Sequence, residues 1–429
     1  MKVIRDVVAR HKAGRSVGVY SACSAHPLVI EAALNHVRRQ SGAVLIEATS
    51  NQVNQDGGYT GMRPADFSRF VLGIAARLGV PSEQVLLGGD HLGPNCWQDL
   101  PAEAAMVKSE QLIADYVAAG FRKIHLDCSM SCADDPTPLT DAVVALRAAR
   151  LCVVAEKTWR RVGGEAPVYV VGTEVPVPGG AKESLTELAL TEAKDATATI
   201  DAHWEAFQSA GLHHVWPRVI GLVVQPGVEF DHHKVIDFQA PRAADLAAVV
   251  EAQPYMVYEA HSTDYQTPAN LRALVQRHFA ILKVGPGLTF AMREALWGLD
   301  EVEREWLGAD RSSRLRETIQ QAMTAAPRYW NKYYLSDGRQ LTLDQQYSLS
   351  DRIRYYWPAP EVETALNRLL SNLDSNPPPL TLLSQYLPLQ YEAIRAGRIG
   401  LRARELVLHS IEQVLQQYSA ACADNSSSQ

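Results

Sequence analysis

The sequence has 429 residues, 47% of them hydrophobic, and a formal net charge of −7. That length suits two or three domains, or one barrel of about 250 residues with an appendage, and the apolar content excludes wholesale disorder. The mildly acidic balance gives no support for nucleic-acid binding, and no apolar run reaches membrane-spanning length.

The start, MKVIRDVVAR, is too charged for a secretory signal peptide, so a cytoplasmic protein is expected. Six cysteines are scattered without pattern. Cys128 and Cys132 have no second pair to complete a zinc knot, and buried reduced thiols are expected.

Apolar, β-branched runs recur along the chain, each ending in small or polar residues. They are Val17–Tyr20, Ala43–Ile46, Val85–Leu87, Lys123–Leu126, Val168–Gly172, Val219–Val224, Tyr255–Tyr258 and Ala280–Val284. Helical periodicity fills the intervals at 27–39, 64–78, 104–119, 138–155, 184–210, 241–252, 271–279 and 289–306. Eight strand–helix alternations predict a (β/α)8 TIM barrel over 1–305. An open doubly wound sheet lacks support, because no Gly-x-Gly-x-x-Gly follows the first strand. Mixed-polarity helices then predict a helical C-terminal extension over 306–422, and 423–429 reads as a disordered tail.

In such a barrel the polar tails of the strands form the active face. The stretch VLLGGDHLGPNCW at 85–97 presents Asp90 and His91 side by side. Alone this pair could be a solvated turn. Set among the other strand ends, His91, Glu229 and His261 form a candidate ligand set for a divalent cation, zinc first. Asp90 and Glu174 are candidate catalytic groups, Asp90 as the proton-transfer residue and Glu174 also as a transient ligand. Glu47, Asn51, Gln225, Ser262, Asp264 and Gly285 are candidates for substrate contacts. The Gly285-Pro-Gly287 turn could offer backbone N–H groups to a phosphate. Each has a plainer alternative: Glu229 could pair with a cation, Glu174 could brace a Pro-Gly loop, and His232 or His233 could replace Glu229. The Asn51–Gln55 loop suits sugar hydroxyls or a subunit interface equally. His125 reads as packing, and Arg352 and Arg354 read as helix-surface residues in preference to a phosphate clamp.

Several long segments resemble the Z subunits of tagatose-1,6-bisphosphate aldolase, the GatZ/KbaZ family. They are CSAHPLVIEAA (23–33), LIEATSNQVNQ (45–55), GGYTGM (57–62), GGDHLGPNCW (88–97), GTEVPVPGG (172–180), QPGVEFDH (225–232), YEAHSTDYQT (258–267), KVGPG (283–287) and YSLSDRIRYYWP (347–358). The resemblance implies kinship with class II zinc aldolases, with Asp90 as base, His91 and His261 as ligands and Ser262 in a phosphate loop. The middle histidine ligand of that pattern has no match, its place being taken by Glu229, and Gly285-Pro-Gly287 stands where Asn-x-Asp is usual. The implied function is a subunit, in an oligomer, that supports a catalytic Y-type partner acting on a ketohexose or ketohexose phosphate. The alternative is a self-sufficient metal-dependent C4-epimerase of fructose and tagatose or their phosphates. A kinase reading lacks a phosphate-binding Gly-x-x-x-x-Gly-Lys loop, and a Schiff-base aldolase on Lys283 lacks any mark of a depressed pKa.

Overall fold

A computed structural model describes residues 1–40, 42–175, 181 and 188–424. Eight parallel strands close into a barrel: β1 (Val19–Ala22), β2 (Val44–Thr49), β3 (Val85–Leu92), β4 (Lys123–Leu126), β5 (Val168–Val171), β6 (Val219–Val224), β9 (Val257–Ala260) and β10 (Ile281–Val284). A small antiparallel hairpin, β7 (Glu229–Phe230) with β8 (Val235–Ile236), follows β6. The eight apolar runs are these eight barrel strands, and the helical intervals are the outer layer. Several of those helices open on proline, at Pro27, Pro64, Pro268 and Pro286. Its fixed φ and missing N–H fit the first helical turn.

Three elements differ from the sequence expectation. Strand β3 continues through Asp90 and His91 to Leu92, because a bulge there lets the ladder to β4 resume. The helix expected at 184–210 spans Ala193–Ser209, and 184–187 lie outside the described residues. A helix at Lys2–Lys12 was not anticipated. Its Ile4 and Val8, with Met1, pack under Leu45, Leu86, Val168, Ile220, Val257 and Ile281 and plug the barrel floor.

The extension is helical, with Leu315–Ala325, Gly338–Tyr347, Pro360–Ser375 and Ala403–Cys422 among its helices. The expected boundary after 305 falls inside the helix Pro286–Leu307. Ala403–Cys422 lies against Pro27–Gln40, Pro268–Gln276 and Pro286–Leu307 and shares their hydrophobic core. Of the expected tail, Ala423 and Asp424 are pinned by Arg272 and Arg10, and 425–429 lie outside the described residues. Among the described residues no helix is long and apolar enough to cross a membrane.

Candidate functional site

Inside a closed barrel, alternate residues of each strand point at the axis. Above the apolar floor the inward positions turn polar. Glu47, Glu259 and Lys283 stand two residues above Leu45, Val257 and Ile281, and Lys123 opens β4 opposite Gly88, all of them nearly or fully buried. Lys123 Nζ lies 2.7 Å from Glu47 Oε1 and 2.6 Å from Glu259 Oε2. Lys283 Nζ pairs with Glu47 and lies 3.0 Å from Asp90 Oδ2. Gly88 makes room for this, since a Cβ there would sit 2.7 Å from Glu47 Cγ.

The next layer holds three imidazoles. On a regular strand Asp90 and His91 would face opposite ways. The bulge, with His91 at φ 50°, turns both inward, each 2% exposed. The solvated-turn alternative therefore fails. The centroids of His91 and His261 are 5.0 Å apart, and each lies 5.3 Å from that of His125. His91 Nδ1 donates to Asp127 Oδ2 at 2.7 Å, and His261 Nε2 donates to Glu259 Oε1 at 3.0 Å. His125 Nδ1 lies 2.9 Å from Asp90 Oδ1, while its Nε2 is buried without a hydrogen-bond partner among the described residues. Asp90, His125, Glu259 and His261 each bring a potential ligand atom within 4.8 Å of the others.

The electrostatics of this layer follow from its crowding. Burial alone would raise Asp90, but Lys283, His91 and His261 hold it well below the usual carboxylate range. Burial lowers His261 to about 4, against the pull of Asp90 and Glu259, so it is neutral near pH 7. Burial would also lower His91, yet Asp90 and Asp127 raise it. Lys283 is raised well above its ordinary value because Asp90 and Glu47 outweigh its burial. An ammonium so held is a poor Schiff-base nucleophile.

These residues fit a divalent cation. With metal–nitrogen bonds of about 2.0–2.1 Å, three imidazoles placed tetrahedrally on one ion have centroids roughly 5.2 Å apart, close to the spacing found. Two of the rings are oriented by carboxylates, as metal-binding histidines generally are, and the third carries a buried nitrogen with no partner among the described residues. Glu47, Asp90, Asp127 and Glu259 outnumber Lys123 and Lys283, an excess that His91, raised by Asp90 and Asp127, offsets in part. A buried excess of negative charge favours a bound cation.

Over this layer opens a cavity of about 380 Å³ lined by Asp90, His91, His261 and Lys283 below and by Asn51, Tyr59 and Ser262 around its wall. Arg354, Tyr355 and Trp357 of the C-terminal extension close its rim. The volume suits a hexose-sized ligand.

The sequence model for the D-tagatose-1,6-bisphosphate aldolase subunit GatZ/KbaZ-like family matches residues 4–423. The chain belongs to this family. It is similar to a probable tagatose 6-phosphate kinase from Sinorhizobium meliloti 1021, with 50% identity over 94% of this chain and 100% of that one, at a TM-score of 0.87. It shares the fold of a fructuronate–tagaturonate epimerase from Cohnella laeviribosi, with 12% identity over 95% of this chain and 81% of that one, at a TM-score of 0.50.

In this GatZ/KbaZ-like chain the expected site residues distribute unevenly. Asp90, His91 and His261 meet on the barrel axis, with Glu47 one layer below. Asn51, Ser262, Asp264 and Gly285 line the cavity. Glu229 opens β7 instead of ending a barrel strand. Its Oε1 accepts the Phe230 N–H at 3.0 Å, burial pushes it up to about 7, and, like His91, it is absent from the close ligand group among the described residues; unlike His91, it does not reach the imidazole layer. Gln225 turns inward on its own loop, its Oε1 accepting from Gly227 and Val228 at 2.8 and 3.1 Å. Glu174 accepts from the Thr191 hydroxyl and lines a separate polar cavity with Ser129 and Asp195. The N–H groups of Gly285 and Gly287 donate to Asp264 Oδ1 at 2.9 and 2.7 Å, so the turn is already satisfied from within the chain. His232 lies between Ser350 and the Tyr333 carbonyl, both at 3.0 Å, and His233 lies 3.2 Å from Asp344. Neither replaces Glu229. The surface reading of Arg352 and Arg354 is corrected: Arg352 is 2% exposed and Arg354 lines the cavity.

Sequence reasoning passed over His125, Asp127, Glu259 and Lys123. A signal was there. In KIHLD the polar residues fall at 123, 125 and 127, and in YEAH at 259 and 261. Polar residues at period two within an otherwise apolar barrel strand point to the axis.

Proposed function

We propose that this chain is itself a metal-dependent enzyme that breaks and remakes the C3–C4 bond of a ketohexose phosphate. The observation that carries this is the three-imidazole layer, with its carboxylate-oriented rings, beneath a hexose-sized cavity. His91, His125 and His261 would hold the cation, with His125 in the role expected of Glu229. When bound, such a cation supplies polarisation of the ketose C2 carbonyl.

The chain's own residues do the rest. The C4 proton of a 2-ketose is not adjacent to the carbonyl, so removing it directly is unfavourable. Asp90 instead accepts the C4 hydroxyl proton while the C3–C4 electron pair moves toward the carbonyl, leaving an aldehyde and an enediolate. The Lys283 ammonium beside Asp90 offsets the charge that develops. The rim formed by Tyr355 and Trp357 shelters the pair from water. If the aldehyde departs, the outcome is aldolase cleavage; if it turns and is re-attacked on its other face, C4 is inverted. The family's description as a subunit favours a second reading, in which a Y-type partner must be present for turnover.

The test feeds the purified chain fructose, fructose 6-phosphate and tagatose 1,6-bisphosphate, metal-loaded and then chelated. Triose phosphates or C4-epimers should form and should vanish with chelator and with Asp90→Asn. Turnover that begins only on adding a Y-type subunit would support the second reading and remove the first. The kinase reading would be supported by ATP-dependent phosphorylation of a ketose, for which the sequence has no Gly-x-x-x-x-Gly-Lys loop.

A further inference from the structure

The cavity rim carries arginine side chains that the chemistry at its base does not use. The segment following Leu349 is pinned across the barrel mouth. Tyr265 donates to the Leu349 carbonyl at 2.6 Å, and the Leu349 N–H donates to the His232 carbonyl at 3.0 Å. Asp351, at φ 46°, turns the chain into the short helix Arg352–Tyr355. Its carboxylate is committed to the Thr289 hydroxyl at 2.6 Å and to Arg293 Nε at 3.2 Å.

Two further guanidinium groups crowd the same spot. Arg354 donates to the Ser350 and Asp351 carbonyls and, at 3.1 Å, to the Tyr355 hydroxyl, none of them a carboxylate. Arg352 is stacked over the Tyr333 ring at 3.2 Å and reaches the same hydroxyl at 3.4 Å, and its Nε and Nη2 are buried with no hydrogen-bond partner among the described residues. Tyr355 is held face to face on Tyr329, with centroids 4.9 Å apart and planes 9° apart, and lies edge-on to Tyr59 at 4.6 Å. With both arginines donating to its oxygen, its own proton must point elsewhere. Burial would raise this phenol, yet Arg354 and Arg352 bring it below its ordinary range. Three guanidinium groups, Arg293, Arg352 and Arg354, thus share this corner of the cavity with Asp351. Of the other carboxylates, Asp264 accepts from the N–H groups of Gly285 and Gly287, Glu294 faces Arg293, and Glu363 lines the cavity.

We propose that Arg354 and Tyr355, supplied by the C-terminal extension, form an anion subsite in the barrel-mouth cavity that takes the phosphate group of a ketohexose phosphate. The guanidinium fork of Arg354 with the adjacent phenol offers donors to the oxygens of a phosphate. Arg352 acts as a positioning residue behind Tyr355. The identity of the sugar rests on the ketose reading above; the recognition of the anion rests on the rim alone.

The test is calorimetric titration of the full chain with inorganic phosphate, fructose 6-phosphate and fructose, alongside its bound-metal content. Wild type should bind phosphate, and fructose 6-phosphate more tightly than fructose. Arg354→Ala should weaken both phosphate-containing ligands by about tenfold or more, Arg354→Lys by less, because it keeps the charge and loses the fork. Metal content should not change. The proposal falls if wild type binds no phosphate, if fructose binds as tightly as fructose 6-phosphate, or if Arg354→Ala and Tyr355→Phe leave phosphate affinity unchanged. Should Arg354→Ala not fold, Arg354→Lys and Tyr355→Phe decide by the same criterion. Arg354-dependent phosphate binding without turnover of any ketose would defeat the proposed function and leave the subsite standing. Turnover with Arg354-insensitive binding would do the reverse.

Discussion

Asp127 touches no ligand position directly, yet it fixes which nitrogen His91 presents. Its Oδ2 accepts from His91 Nδ1, and its Oδ1 accepts from Ser129 Oγ at 2.6 Å, so the carboxylate is itself oriented. Asp127→Asn keeps the size and loses the charge that selects the tautomer. We expect metal affinity to fall about 10–100-fold, read by competition with a chromophoric chelator, with the circular dichroism spectrum unchanged. Unaltered affinity would mean His91 is not a ligand. Away from the site, Glu156 shows a structural use of buried charge. Both its oxygens accept from Arg218, at 2.8 and 2.7 Å, and Tyr169 donates to it at 2.5 Å. Burial would raise its pKa, but these partners lower it. A depressed carboxyl contributes stability above its unfolded pKa of about 4.3, and that contribution is lost as pH falls through the folded value. Glu156→Gln should therefore destabilise the protein by about 3 kcal/mol near pH 7, and the difference from wild type should shrink below pH 4 in urea titrations. A gap that stays constant with pH would contradict this.

Strand β3 is the element on which the site turns. Its bulge places two consecutive residues on one face, which a regular strand forbids. The close approach continues at Gly93, where a Cβ would lie 1.7 Å from the Asp127 carbonyl oxygen. Because that neighbour is backbone, Gly93→Ala must displace β3 or β4. It should cost about 2–3 kcal/mol in denaturant unfolding and weaken metal binding with it; a variant as stable as wild type would show that the approach is looser than described. The same element shows what could be read beforehand. The eight strands were legible because their apolar runs end abruptly in polar residues, and Asp90 stood out for that reason. The bulge was not, since it arises from a ladder mismatch with β4 and leaves no local composition. The choice of Glu229 over His125 failed to anticipate the geometry for a related reason. Glu229 follows a long apolar run and looked like a strand end, whereas the chain has already left the barrel and entered the hairpin β7–β8. His125 looked like packing because it lies within a strand, and it points to the axis only by the alternation of KIHLD.

At the scale of the molecule, the barrel is stoppered at both ends by segments outside the eight repeats. The helix Lys2–Lys12 plugs the bottom, and the 349–358 stretch rims the top. Neither was evident from periodicity, because each is defined by where the chain returns. Ala403–Cys422 buries Leu406, Val407, Ile411 and Leu415 in the barrel's own helical layer. The full chain should accordingly unfold in one transition, coincident by far-ultraviolet dichroism and tryptophan fluorescence. A truncation after residue 305 should expose that layer and fail to give a cooperatively folded barrel. Separate transitions, or a soluble cooperative 1–305 fragment, would show that the extension is an independent unit.

The account centres on a cation held by three imidazoles on the barrel axis. The most direct measurement is anomalous diffraction at the zinc edge from crystals of the full chain grown with zinc. The predicted result is a single strong peak within bonding distance of His91, His125 and His261, absent in His125→Ala. A zinc-saturated protein with no peak there, or with its peak at Glu229 or Glu174, would contradict it.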